Sequence, residues 1–224
     1  MKEGYTFIAV VLDRSGSMDH VKNDTMGGFN TFLTHQQHIP GRAELTMTQF
    51  NTEIETVYEP RPIAECPKLT NENFVPAGGT ALLDAIGITI TKIGAHLAIK
   101  PESERPSRVV FVIVTDGEEN SSREYTRSKV FEMIKHQTEK YGWDFVFLGA
   151  NQDAIREAAS MGISGAKAMN FAANAKGTRS AFASTSAYVC RARLATDEAA
   201  FTANSFTAED RQEQEEAAKG TDVL

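Results

Sequence analysis

Cysteine is scarce: Cys66 and Cys190 are the only two in 224 residues. Two thiols so far apart suit a reducing compartment and leave room for at most one disulfide, so a disulfide-stapled framework is excluded. No run reaches the ~18–20 apolar residues that span a bilayer as a helix. Met1 to Thr6 carry no apolar signal core, so the expectation is no secretory signal, a cytoplasmic setting and no membrane partner. Basic residues are also short, 23 Lys and Arg against 30 Asp and Glu for a net charge of -7. Phosphate backbones are gripped by clustered Lys and Arg, so nucleic acid is not an expected partner. The first strand-like run is not followed by G-x-G-x-x-G, and G-x-x-x-x-G-K-[ST] is absent, which removes two common phosphate cradles. Of the histidines, His35 and His38 stand three apart without a Cys or a third ligand at suitable spacing, so zinc is not expected. Ser15 and Ser17 have no obvious His partner in sequence, and a Ser–His–Asp triad has no positive support.

What is present is ordinary for a globular chain: 41 % hydrophobic and 24 % charged residues. The length suits one α/β domain, or one domain and a tail. The charge is uneven. From Thr196 onward stand eight acids and only Arg211 and Lys219, so that segment holds most of the net negative charge. The expected organisation is therefore a domain over residues 1–195 and an acidic, flexible extension over 196–224. Phe201 and Phe206, its few large apolar residues, could alternatively make it a docking peptide.

Elsewhere strands and helices alternate. Tyr5 to Leu12 is a continuous apolar run, the signature of a central strand buried on both faces. Val21 to His38 has helical spacing and is stopped by Pro40 and Gly41. Ala43 to Phe50 alternates as a strand and returns through a tight turn as an edge hairpin strand, Glu53 to Tyr58. A proline-punctuated loop over Arg61 to Ala77 leads to a helix over Thr80 to Leu97. Arg108 to Val114 is a second fully apolar strand. Tyr125 to Tyr141 reads as a helix, Trp143 to Leu148 as a strand and Asp153 to Met161 as a short helix. Ala168 to Phe171 is a weak last strand, and Asn174 to Leu194 a Ser/Ala-rich helix. This order predicts an α/β, Rossmann-like, doubly wound, mostly parallel six-stranded sheet with one antiparallel edge strand and helices on both faces. Such sheets carry their sites at the carboxyl ends of strands.

Three loops at those ends hold the chemistry. Asp13, Ser15 and Ser17 follow the first strand at every second position, which lets their oxygens converge. Asp116 follows the second apolar strand. Between them Gly78-Gly79-Thr80 presents a hydroxyl at the start of a helix. Two carboxylates and three hydroxyls, with no thiolate or imidazole, describe a site for a hard cation such as magnesium.

On these residues the sequence resembles the von Willebrand factor A (VWA) family. That family's metal-ion-dependent adhesion site combines D-x-S-x-S, a distant Thr and a distant Asp, matched here by Asp13, Ser15, Ser17, Thr80 and Asp116. The resemblance covers about residues 5 to 195. The stretches LDRSGSM, GGTALLDAIG and VIVTDGEEN look like bacterial and phage members. It implies the VWA fold and a metal touched directly by Ser15, Ser17 and Thr80, with Asp13 and Asp116 acting through waters. The ion implied is Mg2+ or Mn2+ ahead of Ca2+. It also implies a protein partner supplying a Glu or Asp to that ion, and no catalytic residue.

Blander readings stand beside this one. Asp, Ser and Gly-Thr after strands commonly cap the next turn or helix without any metal. Glu118, Glu119 and Asn120 read as solvated surface, with added negative potential beside the metal as the alternative, and Asp84 as a structural neighbour of Thr80. Gly149 to Asp153 reads as a turn capping a short helix, with a partner-contact role open. The rival functions are a magnesium-dependent phosphohydrolase or nucleotide-binding enzyme, and an inert structural subunit. The oligomeric state is left open.

Overall fold

The computed structural model describes residues 1–150 and 153–219. Its strands are β1 (Lys2–Asp13), β2 (Arg42–Phe50), β3 (Ile54–Pro62), β4 (Pro106–Thr115), β5 (Asp144–Ala150) and β6 (Ala168–Phe171). The helices are α1 (Lys22–His38), α2 (Leu82–Ala98), α3 (Arg127–Tyr141), α4 (Ala154–Ser160), α5 (Ala175–Leu194), α6 (Glu198–Thr202) and α7 (Ala208–Lys219). One six-stranded sheet runs in the order β3-β2-β1-β4-β5-β6. All pairs are parallel except β2 with β3, which is the antiparallel edge hairpin that the sequence predicts.

The continuous apolar run of β1 follows from its central place. Ile8, Val10 and Leu12 face one core layer, shared with Phe29, Phe32 and Leu33 of α1 and with Phe182, Tyr188 and Val189 of α5. Phe7, Ala9 and Val11 face the other, with Ile86, Ile90 and Ile93 of α2 and Val130 and Ile134 of α3. Because side chains alternate along a strand, a strand covered on both faces has no polar row to spare. On the first face α1 comes so close to α5 that a Cβ on Gly28 would stand 2.5 Å from Phe182 Cδ2. Helix α3 is closed at both ends by local chemistry. Thr126 Oγ1 accepts from Lys129 N at its start, and Gly142 adopts a left-handed φ of 63° past its end.

The segment after Thr196 differs from the flexible tail expected of it. Its described residues form α6 and α7, which pack against the domain, and Phe201 and Phe206 are buried in the core layer beside α5. The Phe206 ring centroid lies 5.2 Å from that of Tyr188, and the Arg108 guanidinium carbon lies over the Phe201 ring, 5.6 Å from its centroid. Tyr188 Oη donates to Asn204 O at 3.2 Å, and Asn204 Nδ2 donates back to Tyr188 O at 3.0 Å. Both helices are capped: Asp197 accepts from Ala200 N, while Thr207 and Asp210 bond each other's backbone amides reciprocally. Net charge overshadowed two phenylalanines and two capping signals. No described helix is long and apolar enough to cross a membrane.

Candidate functional site

Leu12 of β1 stands in register with Val114 of β4, so the residues that follow, Asp13 and Thr115, come abreast at the carboxyl edge of the sheet. Here the chain leaves β1 toward β2 on one side and later returns to β4 on the other, which makes this the crevice where strand order reverses.

Asp13 is fully buried. Its Oδ1 accepts from Ser15 N at 2.6 Å, folding the chain into a tight turn, and its Oδ2 accepts from Thr115 Oγ1 at 2.6 Å. The turn places Ser15 Oγ 3.1 Å from Ser17 Oγ, and Ser17 Oγ donates to Asp116 Oδ1 at 2.7 Å. Thr80 arrives from the other loop. A Cβ built on Gly117 would stand 3.4 Å from Thr80 Oγ1 and 3.8 Å from Ser17 Oγ, so both hydroxyls face the backbone just past Asp116. The structure thus brings Asp13, Ser15, Ser17, Thr80 and Asp116 to one place.

The strap carrying Thr80 is pinned at several points. Gly16 N donates to Gly78 O at 3.0 Å, Ala77 N to Arg14 O at 2.9 Å, and Ala81 N to Asn51 O at 2.8 Å. Gly78 has a left-handed φ of 74°, and a Cβ there would meet Thr52 Oγ1 at 2.4 Å. Only glycine satisfies both conditions. Helix α2 starts at Leu82, two residues later than the sequence suggests, because residues 80 and 81 are committed to these cross-loop bonds.

Burial pushes the Asp13 carboxyl up to about 6, against the pull of hydrogen bonds from Thr115 and Ser15. Burial likewise raises Asp116, opposed by the hydrogen bond from Ser17. Two buried carboxylates held side by side resist ionisation, and a nearby cation is what reverses that. The donor set fits one. Adjacent ligands of an octahedral ion with ~2.1 Å bonds stand about 3 Å apart, which is the separation of the two serine hydroxyls. Among the described residues no three His, Cys, Asp or Glu side chains form a metal-holding group. This cluster has only two acids, and its other donors are hydroxyls.

Other candidates resolve differently. Glu119 is not solvated surface. Its Oε1 accepts from Ser121 N and Ser122 N, and its Oε2 from Leu83 N at 3.0 Å and from Ser122 Oγ, so it caps α2 from a distant loop. Asp84 has the structural role expected: its carboxylate accepts from the amides of Arg123, Glu124 and Tyr125. Glu118 is exposed. Arg14 is tied to Glu55 at 2.7 Å. His20 engages the carbonyls of Ser17 and Ala173 with its two ring nitrogens. Of the stretch from Gly149 to Asp153, expected as a turn, Gly149 and Ala150 belong to β5, Asn151 and Gln152 lie outside the described residues, and Asp153 caps α4 through Arg156 N. Thr115 was not foreseen as a neighbour of the site, and Asn120 and Glu119, expected as solvated surface, instead bond the backbone of Thr80 and Leu83. The hydroxyl of Thr115, one residue before a strand-end acid, is the one signal that could have pointed to a partner for Asp13.

No known family profile and no curated protein matches this sequence. Solved structures do. A von Willebrand factor type A protein from Catenulispora acidiphila superposes with a TM-score of 0.56 at 13 % identity, over 83 % of this chain and 43 % of its own. The PilB minor pilin from Streptococcus sanguinis gives 0.57 at 11 % identity, over 83 % and 61 %. Proximal thread matrix protein 1 from the mussel byssus, solved with zinc in its MIDAS motif, gives 0.56 at 14 % identity, over 84 % and 46 %. The chain spans between 43 % and 61 % of the length of these three proteins. At such identities the likeness concerns the fold: this chain has the fold of a VWA domain.

Proposed function

We propose that this VWA-fold chain is a protein-interaction module that holds a divalent cation, Mg2+ or Mn2+, and through it captures a Glu or Asp of a partner protein. The observation that carries the reading is the single hydrogen-bonded constellation of Asp13, Ser15, Ser17 and Asp116, with Thr80 beside it, at the crevice of the sheet. Ser15, Ser17 and Thr80 would touch the ion through neutral oxygens. Asp116 accepts a hydrogen bond from Ser17 Oγ, which makes that hydroxyl oxygen a stronger ligand, and Asp13 orients the loop by holding Ser15 N. A bound cation supplies incompletely neutralised positive charge with a coordination position for an incoming carboxylate. The zinc-filled MIDAS of the mussel protein supports cation binding at this type of site.

The surroundings of the hydroxyls favour binding over hydrolysis. Ser17 donates to a carboxylate, and His20, the nearest histidine in sequence, spends both nitrogens on backbone carbonyls rather than serving as a base. Melting in excess magnesium against melting in chelator tests the metal. A ligand of the folded state raises Tm by mass action, and the rise should disappear in Asp13→Ala. Identical curves for the wild type, with no heat on calorimetric titration, would sink the reading. Metal-dependent capture tests the partner. Chelation, Ser15→Ala and replacement of one partner acid should each weaken binding without adding, because all act on one contact. Buried charge-assisted contacts of this kind contribute about 2–5 kcal/mol when truncated. A partner held equally well in chelator would refute capture through the ion.

A further inference from the structure

The loop after β4 touches both other loops of the site. Asp116 reaches Ser17, and four residues later Asn120 closes on the Thr80 backbone from two directions. Thr80 N donates to Asn120 Oδ1 at 2.9 Å, and Asn120 N donates to Thr80 O at 3.0 Å. Ser121 N adds a second bond to Thr80 O at 3.2 Å, and Ser121 Oγ anchors Asn120 Oδ1 at 2.6 Å. There is no slack beside this clasp: a Cβ on Gly79 would stand 2.3 Å from Ser121 Oγ and 2.8 Å from Asn120 Oδ1. The loop is fastened further along by Glu119 to Leu83 N, by Asp84 N donating to Ser122 Oγ at 3.0 Å, and by Tyr125, whose ring fills the space above Gly87.

We propose that Asn120 is a positioning residue for Thr80, fixing the residue's backbone so that its hydroxyl faces the other ligands before any cation arrives. The inference rests on the metal-site reading above. Thr80 is 3 % exposed and its amide's acceptor sits on the exposed Asn120 side chain, so removing Asn120 Oδ1 strips the amide of its bond and opens it to solvent. Without that bond Thr80 is fastened only through its carbonyl, its amide side can pivot, and the hydroxyl moves with it. Magnesium demands near-octahedral geometry, and a ligand displaced by an ångström is a ligand lost. The side-chain acceptor of Asn120 thus sets metal affinity from outside the ligand set.

The experiment titrates magnesium chloride calorimetrically into the full chain as wild type, Asn120→Ala, Asn120→Asp and Gly79→Ala. Melting and amide exchange are followed in chelator on the same proteins. Asn120→Ala should weaken the magnesium Kd tenfold or more and expose the Thr80 amide to exchange. Asn120→Asp, which keeps the acceptor, should retain both protection and binding. Gly79→Ala presses on the same clasp from the other side, so it should also weaken binding and add little to Asn120→Ala. A purely structural Asn120 would lower Tm in chelator and leave the Kd of the folded protein unchanged, which overturns the proposal. Should Asn120→Ala fail to fold, wild-type affinity in Gly79→Ala overturns it equally. A wild type that binds no magnesium overturns the site reading and this inference together. A wild type that binds beside an Asn120→Ala that binds as tightly overturns this inference alone.

Discussion

Replacing Asp13 by Asn should make the metal-free protein more stable at neutral pH, not less. The carboxyl titrates near 3.8 in an unfolded chain and is pushed up to about 6 in the fold. An acid with a raised folded value is held more tightly as the neutral form, so its ionisation opposes folding. The penalty is nil below the unfolded value, grows as pH rises through the window, and is complete above the folded value. The rise from 3.8 to about 6 corresponds to about 3 kcal/mol. An amide avoids that penalty and keeps most of the geometry. Its oxygen still accepts from Ser15 N, while the Thr115 hydroxyl turns to accept from the amide nitrogen and donates to Gly117 O, already 3.1 Å away. Losing charge assistance in two hydrogen bonds offsets about 1–2 kcal/mol, leaving a net gain on the order of 1–2 kcal/mol. For a chain of this size each kcal/mol moves Tm by about 2–4 °C. Urea unfolding in chelator from pH 5 to pH 8 reads it directly: the gap between variant and wild type should open as pH rises toward 7 and then level off. In excess magnesium the order should reverse, because only the wild type gains from the ion. An Asp13→Asn protein less stable than wild type in chelator at pH 7.5, or a gap that ignores pH, would refute the reasoning.

Other outcomes follow from packing. Phe206→Ala should lose about 3–5 kcal/mol in urea unfolding, the cost of emptying a buried aromatic site, and truncation at Thr196 should lose more; an unchanged midpoint would show that α6 and α7 contribute nothing to the fold. Gly28→Ala should cost about 1–3 kcal/mol through collision with Phe182, and the double substitution with Phe182→Ala should be less than additive. Burial pushes the Cys66 thiol up to about 12, so in the native protein it should react with a thiol reagent far more slowly than in urea, as mass spectrometry of the labelled peptide will read.

The strands of this fold are legible because their signal is local. A double-faced run such as Tyr5 to Leu12 has few structures open to it, and an acid directly after it falls at the sheet's edge. The five oxygen-bearing residues of the site could be found because each closes or opens such an element. What holds them in place was hidden, because the partners are remote. Glu119 sits among acids and Asn and looks solvated until Leu83 N is known to lie beside it, 36 positions away in sequence. Asn120 and Thr80 are separated by 40 positions. Arg108 opens a strand in sequence, yet its guanidinium donates to the carbonyls of Ala192 and Arg193 and lies over the ring of Phe201. That anchoring makes a charged segment part of the core.

The pairing of β1 with β4 has a consequence for the newborn chain. Asp13 and Thr115 are 102 residues apart in sequence, and Ser17 and Asp116 are 99. A ribosome releasing the chain from its amino end therefore delivers the first half of the site long before the second. During that interval β1 has β2 as a neighbour on one side and an open edge on the other, with an apolar strand exposed to solvent. Parallel pairing across so long a loop is slow and leaves such edges vulnerable to association. The aspartate and serines cannot meet their counterparts until β4 has emerged and slotted in. Under the proposed function, capacity for a cation would then arise only once β4 has joined β1, and would report closure of the central strands rather than emergence of the first half of the site.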